Sequence, residues 1–221
     1  MAASIKVAVI TGGHTFDVIP FHQLFRRLEG IDAYLQPLGD FATSPQEVRR
    51  GYDAVAFYNM HEGIPQDEGQ PWYEGKPRTA LEALGETPQG IVILHHALLA
   101  YEQWPAWDAM IGIRQRRSGF SYAPRETVHS LLHKPDHPIL VGLASWDMID
   151  ETYVIPDAGT DSDILITYDH PKSMHTIAWT RKYRNSRVFC YQAGHDGETF
   201  DDPNFREVLR RGLLWSAGQL G

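Results

Sequence analysis

Apolar residues follow two rhythms along the first half of the chain. Residues 5–11 (IKVAVIT) form a nearly unbroken apolar run closed by Gly12 and Gly13, the pattern of a strand buried on both faces. Phe21, Leu24, Phe25 and Leu28 then recur at helical spacing within 20–28. The alternation continues with a strand over 33–38, a short helix over 45–50 opened by Ser44 as its cap, and a strand over 53–59 (DAVAFYN). A helix over 78–84 and a strand over 90–94 follow, and 98–110 reads as partly helical with an interruption at Pro105.

The second half has a different texture. HPILVGL (137–143), DMIDETYV (147–154), DILITYD (163–169), TIAWTRKY (176–183) and RVFCYQAG (187–194) are short strand candidates separated by turn residues, some of them antiparallel. An amphipathic helix over 204–218 closes the chain, with Phe205, Val208, Leu209 and Leu213 on its inner stripe and 201–204 as its start. Segments 60–77 and 114–138 read as long and irregular, too long for passive connectors and suited to a lid or an interface. Alternating strands and helices predict an α/β fold of flavodoxin-like type, a mostly parallel central sheet with helices on both faces. No linker or repeat divides the chain, so a single domain over 1–221 is expected.

In such sheets ligands bind beyond the carboxyl ends of the strands. Three first-half strands run out into GGHTFD, NMHEG and HHALLAYEQW, which carry His14, His61 and the pair His95–His96 just past the strand ends. The last strand leads through Gly194 to His195 and Asp196. This topology predicts that imidazoles far apart in sequence meet along one edge. Imidazole takes up and releases protons near neutral pH and is also the commonest ligand of zinc. His14, His95 and His195 are therefore candidate ligands of a divalent metal such as zinc, with acid–base work as the competing reading and no compact HExxH motif to decide between them.

A second constellation is Asp150, Glu151 and Tyr153. Period-two alternation sends Asp150 and Glu151 to opposite faces of a strand, so only one of them is expected to point into a site. There it could orient an imidazole or complete a metal shell; a solvated pair is the plain alternative. Tyr101, Trp104 and Trp107 follow the double histidine, either as core or as a platform for the C–H face of a sugar.

Composition removes several function classes. A formal charge of −8 disfavours nucleic acid, whose phosphates demand a basic surface. A single cysteine, Cys190, rules out an internal disulfide framework. It lies inside a predicted strand, while the strand-to-loop elbow is filled by His95 or His96, so thiol chemistry is not expected. The start MAASIKVAVITGG has no signal-peptide pattern and no apolar stretch approaches the roughly 18 residues of a membrane span, so a soluble, cytoplasmic protein without a membrane partner is expected. TGGHTFD is neither GxGxxG nor GxxxxGK[ST], which gives nucleotide binding little support.

Taken in order, VAVITGGHTFD, GIVILHHALLAYEQWPAW, HPILVGLASWDMIDETY and AWTRKYRNSRVFCYQAGHD resemble the trehalose-utilisation (ThuA-like) family. The resemblance implies a fold like that of class I glutamine amidotransferases. It also implies that the chain is not itself a glutamine amidotransferase, since the elbow cysteine is absent. The family is associated with carbohydrate breakdown, including trehalose-type disaccharides and their 3-keto derivatives. The matching positions are His14, His95, His96, Asp150, Glu151, Tyr153, His195 and Asp196. Two departures stand out: Asn185-Ser186 replaces a glycine-rich turn, and only Gly112 remains where the family tends to a double glycine.

The expectation is a carbohydrate-processing enzyme acting on a glycoside or 3-keto-glycoside by histidine-based, metal-assisted or metal-free, elimination or hydrolysis. His95, His195, Glu151 and His96 are the candidate catalytic residues, and His14, Tyr101, Trp104, Asp150, Tyr153 and Asp196 the candidate substrate contacts. The alternative is a non-catalytic sugar-binding or regulatory partner of a sugar dehydrogenase, resting on the aromatics rather than the histidines. A small-molecule sugar, a homo-oligomeric copy and a sugar dehydrogenase are the partners the sequence admits.

Overall fold

The computed structural model describes residues 4–221. Its first half follows the expected alternation: β1 (Ile5–Gly12), α1 (Val18–Arg26), β2 (Ile31–Pro37), α2 (Leu38–Thr43), α3 (Gln46–Arg49), β3 (Ala54–Asn59), α4 (Pro77–Glu82), β4 (Gly90–Leu94) and α5 (Pro105–Ile111). β3 and β4 are buried at every position, as their unbroken apolar runs require, whereas the edge strand β2 is nowhere fully buried. α1 buries Phe21, Leu24 and Phe25, the stripe read from spacing.

The second half comprises β5 (Ser121–Leu132), β6 (Trp146–Val154), β7 (Asp163–Thr167), β8 (Thr176–Tyr183), β9 (Ser186–Tyr191), α6 (Gly197–Asp201) and α7 (Pro203–Ser216). All nine strands join one sheet in the order β2-β1-β3-β4-β9-β8-β7-β5-β6. β2, β1, β3, β4 and β9 pair in parallel, and every pairing from β9 through β8, β7 and β5 to β6 is antiparallel. The expected mostly parallel sheet is thus corrected to a mixed one, half parallel and half antiparallel. The reason is connection length: β7, β8 and β9 follow one another without an intervening helix, and a parallel pair needs a crossover of a dozen or more residues. The β8–β9 hairpin turns at Arg184, in left-handed conformation at φ 52°, and Asn185.

Other expectations also shift. Residues 137–143 are a turn and not a strand, and the segment read as irregular over 114–138 contains the twelve-residue β5. Ser44 does not cap α3, whose N-cap is Pro45; it is the C-cap of α2, where its hydroxyl donates to the Asp40 carbonyl, in a helix the periodicity did not disclose. α7 is capped by Asp202, whose carboxylate accepts the Phe205 N–H at 2.7 Å.

α7 packs closely against the sheet because Gly212 faces Phe189 of β9; a Cβ at that glycine would run into the phenyl ring. Gly212→Ala is therefore expected to destabilise the fold by about 2 kcal/mol through overpacking. An exposed helical glycine would instead gain roughly 1 kcal/mol from the same change. Urea unfolding of the variant checks the sign.

Candidate active site

β1, β3, β4 and β9 run parallel and end at the same edge of the sheet. At the exit of β4 the chain turns at His95, which holds φ at 52°, a left-handed conformation unusual for a residue with a Cβ. α/β enzymes present nucleophiles on a strained strand-to-loop turn of this kind. Here the residue presented is an imidazole, and of the two adjacent histidines His95 is the elbow. Its Nδ1–H donates to the Gln192 carbonyl just beyond β9, at 2.7 Å, which makes Nε2 the ring's acceptor. The following 3-10 turn, His95–Leu99, is held from behind. The buried Arg116 guanidinium donates to the carbonyls of Leu98, Ala100 and Tyr101 and to the Asp108 carboxylate, and the Trp107 indole donates to the Ala97 carbonyl.

β6 supplies the acids. It pairs with β5 along most of its length, and this ribbon joins the rest of the sheet only where Leu131 and Leu132 pair with β7. The Gln192 side-chain amide donates to the Glu151 carbonyl at 2.9 Å and ties the ribbon to the loop after β9. Asp150 and Glu151 diverge, as strand alternation requires. Asp150 turns into the loop, where its carboxylate accepts the N–H groups of Gly194 and His195, each at 3.0 Å, and the Thr199 hydroxyl at 2.9 Å. Glu151 turns to the histidines.

Glu151 Oε1, His95 Nε2 and His195 Nδ1 form a triangle whose three edges are each 3.4 Å. Burial works against ionisation of Glu151, but the adjacent imidazoles of His195 and His95 outweigh it and hold the carboxyl well below the usual carboxylate range. Its partner His195 is raised, chiefly by Glu151 and against the opposing effect of burial. The Tyr153 hydroxyl donates to His95 Nε2 at 2.7 Å; burial, reinforced by Glu151, raises it well above the ordinary phenol value, so it keeps its proton.

Glu151, Tyr153 and His195 open onto a cavity of about 380 Å³, completed by His14, Met60, Leu99, Arg117, Phe120, Tyr122 and Pro124. A smaller cavity of about 250 Å³ shares His14 and His195 and is lined by Asp17, His96 and Asp196. Asp196 also caps α6, accepting the N–H groups of Glu198 and Thr199. His96 is buried with its Nε2 at 3.0 Å from the Tyr58 carbonyl; burial and then the neighbouring His95 and His14 keep it far below the ordinary imidazole value.

The structure thus gathers His14, His95, His96, Glu151, Tyr153, His195 and Asp196 along one rim. It does not bring three expected substrate contacts to the cavity. Asp150 is buried and spends both oxygens on the loop. Tyr101 and Trp104 are buried in the core with Trp107, and the Tyr101 hydroxyl accepts from Asn59. The third member of the metal-capable cluster is Glu151, where His14 had been expected; His14 instead sets its ring 4.7 Å from that of His96. Cys190 is buried in β9, and burial pushes its thiol up and out of nucleophilic range.

Sequence reasoning missed Gln192, which orients His95, and the wall made by Arg117, Phe120, Tyr122 and Pro124. Of the wall, Tyr122 and Pro124 belong to β5, whose buried positions Ala123, Val128 and Ser130 lose their alternation at a bulge between Ala123 and Glu126.

Comparison with known proteins bears on the fold and the family. No curated protein matches the chain. A ThuA-like protein from Parabacteroides merdae shares 21% identity over 98% of this chain and 91% of its own, with a TM-score of 0.74. A cytoplasmic protein from Salmonella typhimurium shares 15% over 96% of this chain and 99% of its own, with a TM-score of 0.68. A GMP synthase-type protein from Thermoplasma acidophilum shares 13% over 99% and 96%, with a TM-score of 0.53, which extends the likeness to a glutamine amidotransferase-like fold. At these identities the likeness is one of fold alone. The sequence profile described as trehalose utilisation matches residues 40–216, and the chain therefore belongs to the ThuA trehalose-utilisation family.

Proposed function

We propose that this chain is a carbohydrate-processing enzyme, acting as one ThuA-like unit over 1–221, that cleaves a glycoside or 3-keto-glycoside by elimination or hydrolysis. The observation that carries the reading is Glu151 set between two imidazoles at the wall of a 380 Å³ cavity. That volume lies in the range of small-molecule sites, about 300–1,000 Å³. A ketone at C3 of a sugar acidifies the C2 proton. When a base takes that proton, the C2–H electrons form an enediolate, which then makes the C1–C2 double bond and breaks the bond from C1 to the glycosidic oxygen. The departing oxygen takes up a proton, and no oxidant or reductant is consumed. His14 and His195 line the cavity and are the imidazoles placed to handle these protons. A divalent cation such as zinc, when bound, would polarise the ketone and the enediolate oxygen.

The same chemistry implies a partner: the C3 ketone must be made by a sugar dehydrogenase acting beforehand. We place the reaction in the cytoplasm, in line with the description of the Salmonella typhimurium relative. No helix among the described residues is long and apolar enough to cross a membrane.

The test is release of the aglycone from a 3-keto-glycoside by the purified protein, with and without chelator. His195→Ala is expected to lower the rate by roughly 10²–10⁴-fold. Absence of turnover, with His95→Ala still binding the sugar as the unaltered protein does, would leave the site as a binding pocket only.

A further inference from the structure

We infer that His95, Glu151 and His195 are the three protein ligands of a mononuclear, four-coordinate metal site of the zinc class, with its fourth position open to the cavity. The inference deepens the reading above but rests on it only for the identity of the oxygen that enters the fourth position.

The distances separate a metal site from a proton-sharing cluster. Edges of 3.4 Å are long for direct hydrogen bonds between these groups, which prefer about 2.7–3.2 Å. A tetrahedral centre with bonds of about 2.0–2.1 Å to nitrogen and oxygen spaces its donor atoms about 3.3–3.4 Å apart. Octahedral magnesium, with bonds of about 2.0–2.1 Å, would bring neighbouring donors to about 2.8–3.0 Å. Calcium could match the spacing but takes six to eight oxygens, and two of these three donors are imidazoles. Two histidines and one glutamate with an open position form a donor set that zinc enzymes use.

The surroundings are those of a metal site as well. His95 donates its other ring nitrogen to the Gln192 carbonyl, the outer-shell contact that fixes a ligating tautomer. His195 is fixed through its backbone by Asp150, and Glu151 through its carbonyl by Gln192. The three ligands come from three elements, tied to one another through Gln192 and Asp150. Two of them, Glu151 and His195, also line the cavity. One contact opposes uptake: the Tyr153 hydroxyl occupies the His95 Nε2 lone pair and must let go when a cation binds. With that cation bound, His95 and His195 no longer offer lone pairs for proton transfer, and His14 is the imidazole of the cavity that remains free for it.

The protein is stripped with chelator, dialysed, and titrated with Zn²⁺ and with Co²⁺ in the absence of any sugar. Metal content is measured directly and coordination is read from the visible spectrum of the Co²⁺ form. One equivalent is expected, with the intense absorption of four-coordinate Co²⁺. Glu151→Gln, close in shape, and His195→Ala are each expected to weaken binding at least 100-fold. His14→Ala is expected to keep it within threefold, and Tyr153→Phe to tighten it severalfold. No stoichiometric uptake, a weak octahedral Co²⁺ spectrum, or affinity unchanged in folded Glu151→Gln would each overturn the site and leave a proton-sharing triad. Because no sugar is present, a metal-loaded protein that turns over no keto-glycoside counts against the proposed function alone, and turnover by a protein that takes up no metal counts against the metal site alone.

Discussion

Replacing Arg116 with methionine is expected to lower folding stability by about 3–5 kcal/mol, the usual result of removing one partner from a buried, hydrogen-bonded ion pair. Arg116 is among the largest fully buried side chains of the chain, and its planar fork reaches three backbone carbonyls and one carboxylate at once. Methionine fills much of the stem volume but leaves the Leu98, Ala100 and Tyr101 carbonyls without their donor and Asp108 without its cation. Lysine keeps the charge yet cannot reproduce the fork, so Arg116→Lys is expected to recover only part of the loss. The same carbonyls belong to the turn that starts at the left-handed His95 and ends at Tyr101, itself at φ 50°. Strained conformations of this sort persist only where their surroundings over-determine them. Loss of the clamp is therefore expected to reach the site as well, as reduced turnover in the fraction that still folds. Urea unfolding of both variants measures the effect; a wild-type midpoint for Arg116→Met would mean the elbow is held by something else.

How much of this was legible in the sequence depends on whether a feature is local. β3 and β4 announced themselves because burial on both faces demands an unbroken apolar run, and α1 because its buried residues recur at helical spacing. The convergence of His95 and His195 was also legible, since a sheet of parallel strands delivers every strand exit to one edge, and the two rings lie with centroids 5.4 Å apart. What stayed hidden depends on three-dimensional closure. β5 carries Pro124 and a bulge, both of which break the alternation by which a strand is recognised. Asp150 and Glu151 are neighbours of the same charge, and only the loop after β9 decides that one accepts backbone N–H groups while the other meets imidazoles. Tyr101 and Trp104 follow the double histidine closely enough to suggest a sugar platform, but the turn clamped by Arg116 carries them inward. The aromatic rings that do line the cavity are Phe120, just before β5, and Tyr122 within it, stacked with centroids 6.2 Å apart.

Asp150 carries the second large effect, although its side chain lies away from the cavity. Its Oδ1 accepts from the His195 N–H and the Thr199 hydroxyl, and its Oδ2 from the Gly194 N–H. Burial raises this carboxyl above its ordinary value, against the opposing pull of His95 and the three donors. Asparagine has nearly the same shape but must place an NH₂ group on one of those two positions. Placed at Oδ2 it faces the Gly194 N–H; placed at Oδ1 it can donate to Thr199 but faces the His195 N–H. In either orientation one backbone N–H of the loop carrying His195 loses its acceptor, at a cost of about 1–3 kcal/mol. The loop can relieve this only by moving, and a shift of the order of 1 Å in a group that handles the reaction can cost about 100-fold in rate. For the proposed reaction, Asp150→Asn is thus expected to lower keto-glycoside turnover about 100-fold with substrate binding little changed. Thr199→Val removes one donor but keeps both backbone N–H bonds, and is expected to lose less than tenfold. Equal losses in the two variants would assign the effect to general loosening of α6, whereas a loss confined to Asp150→Asn identifies the carboxylate as the group that positions His195.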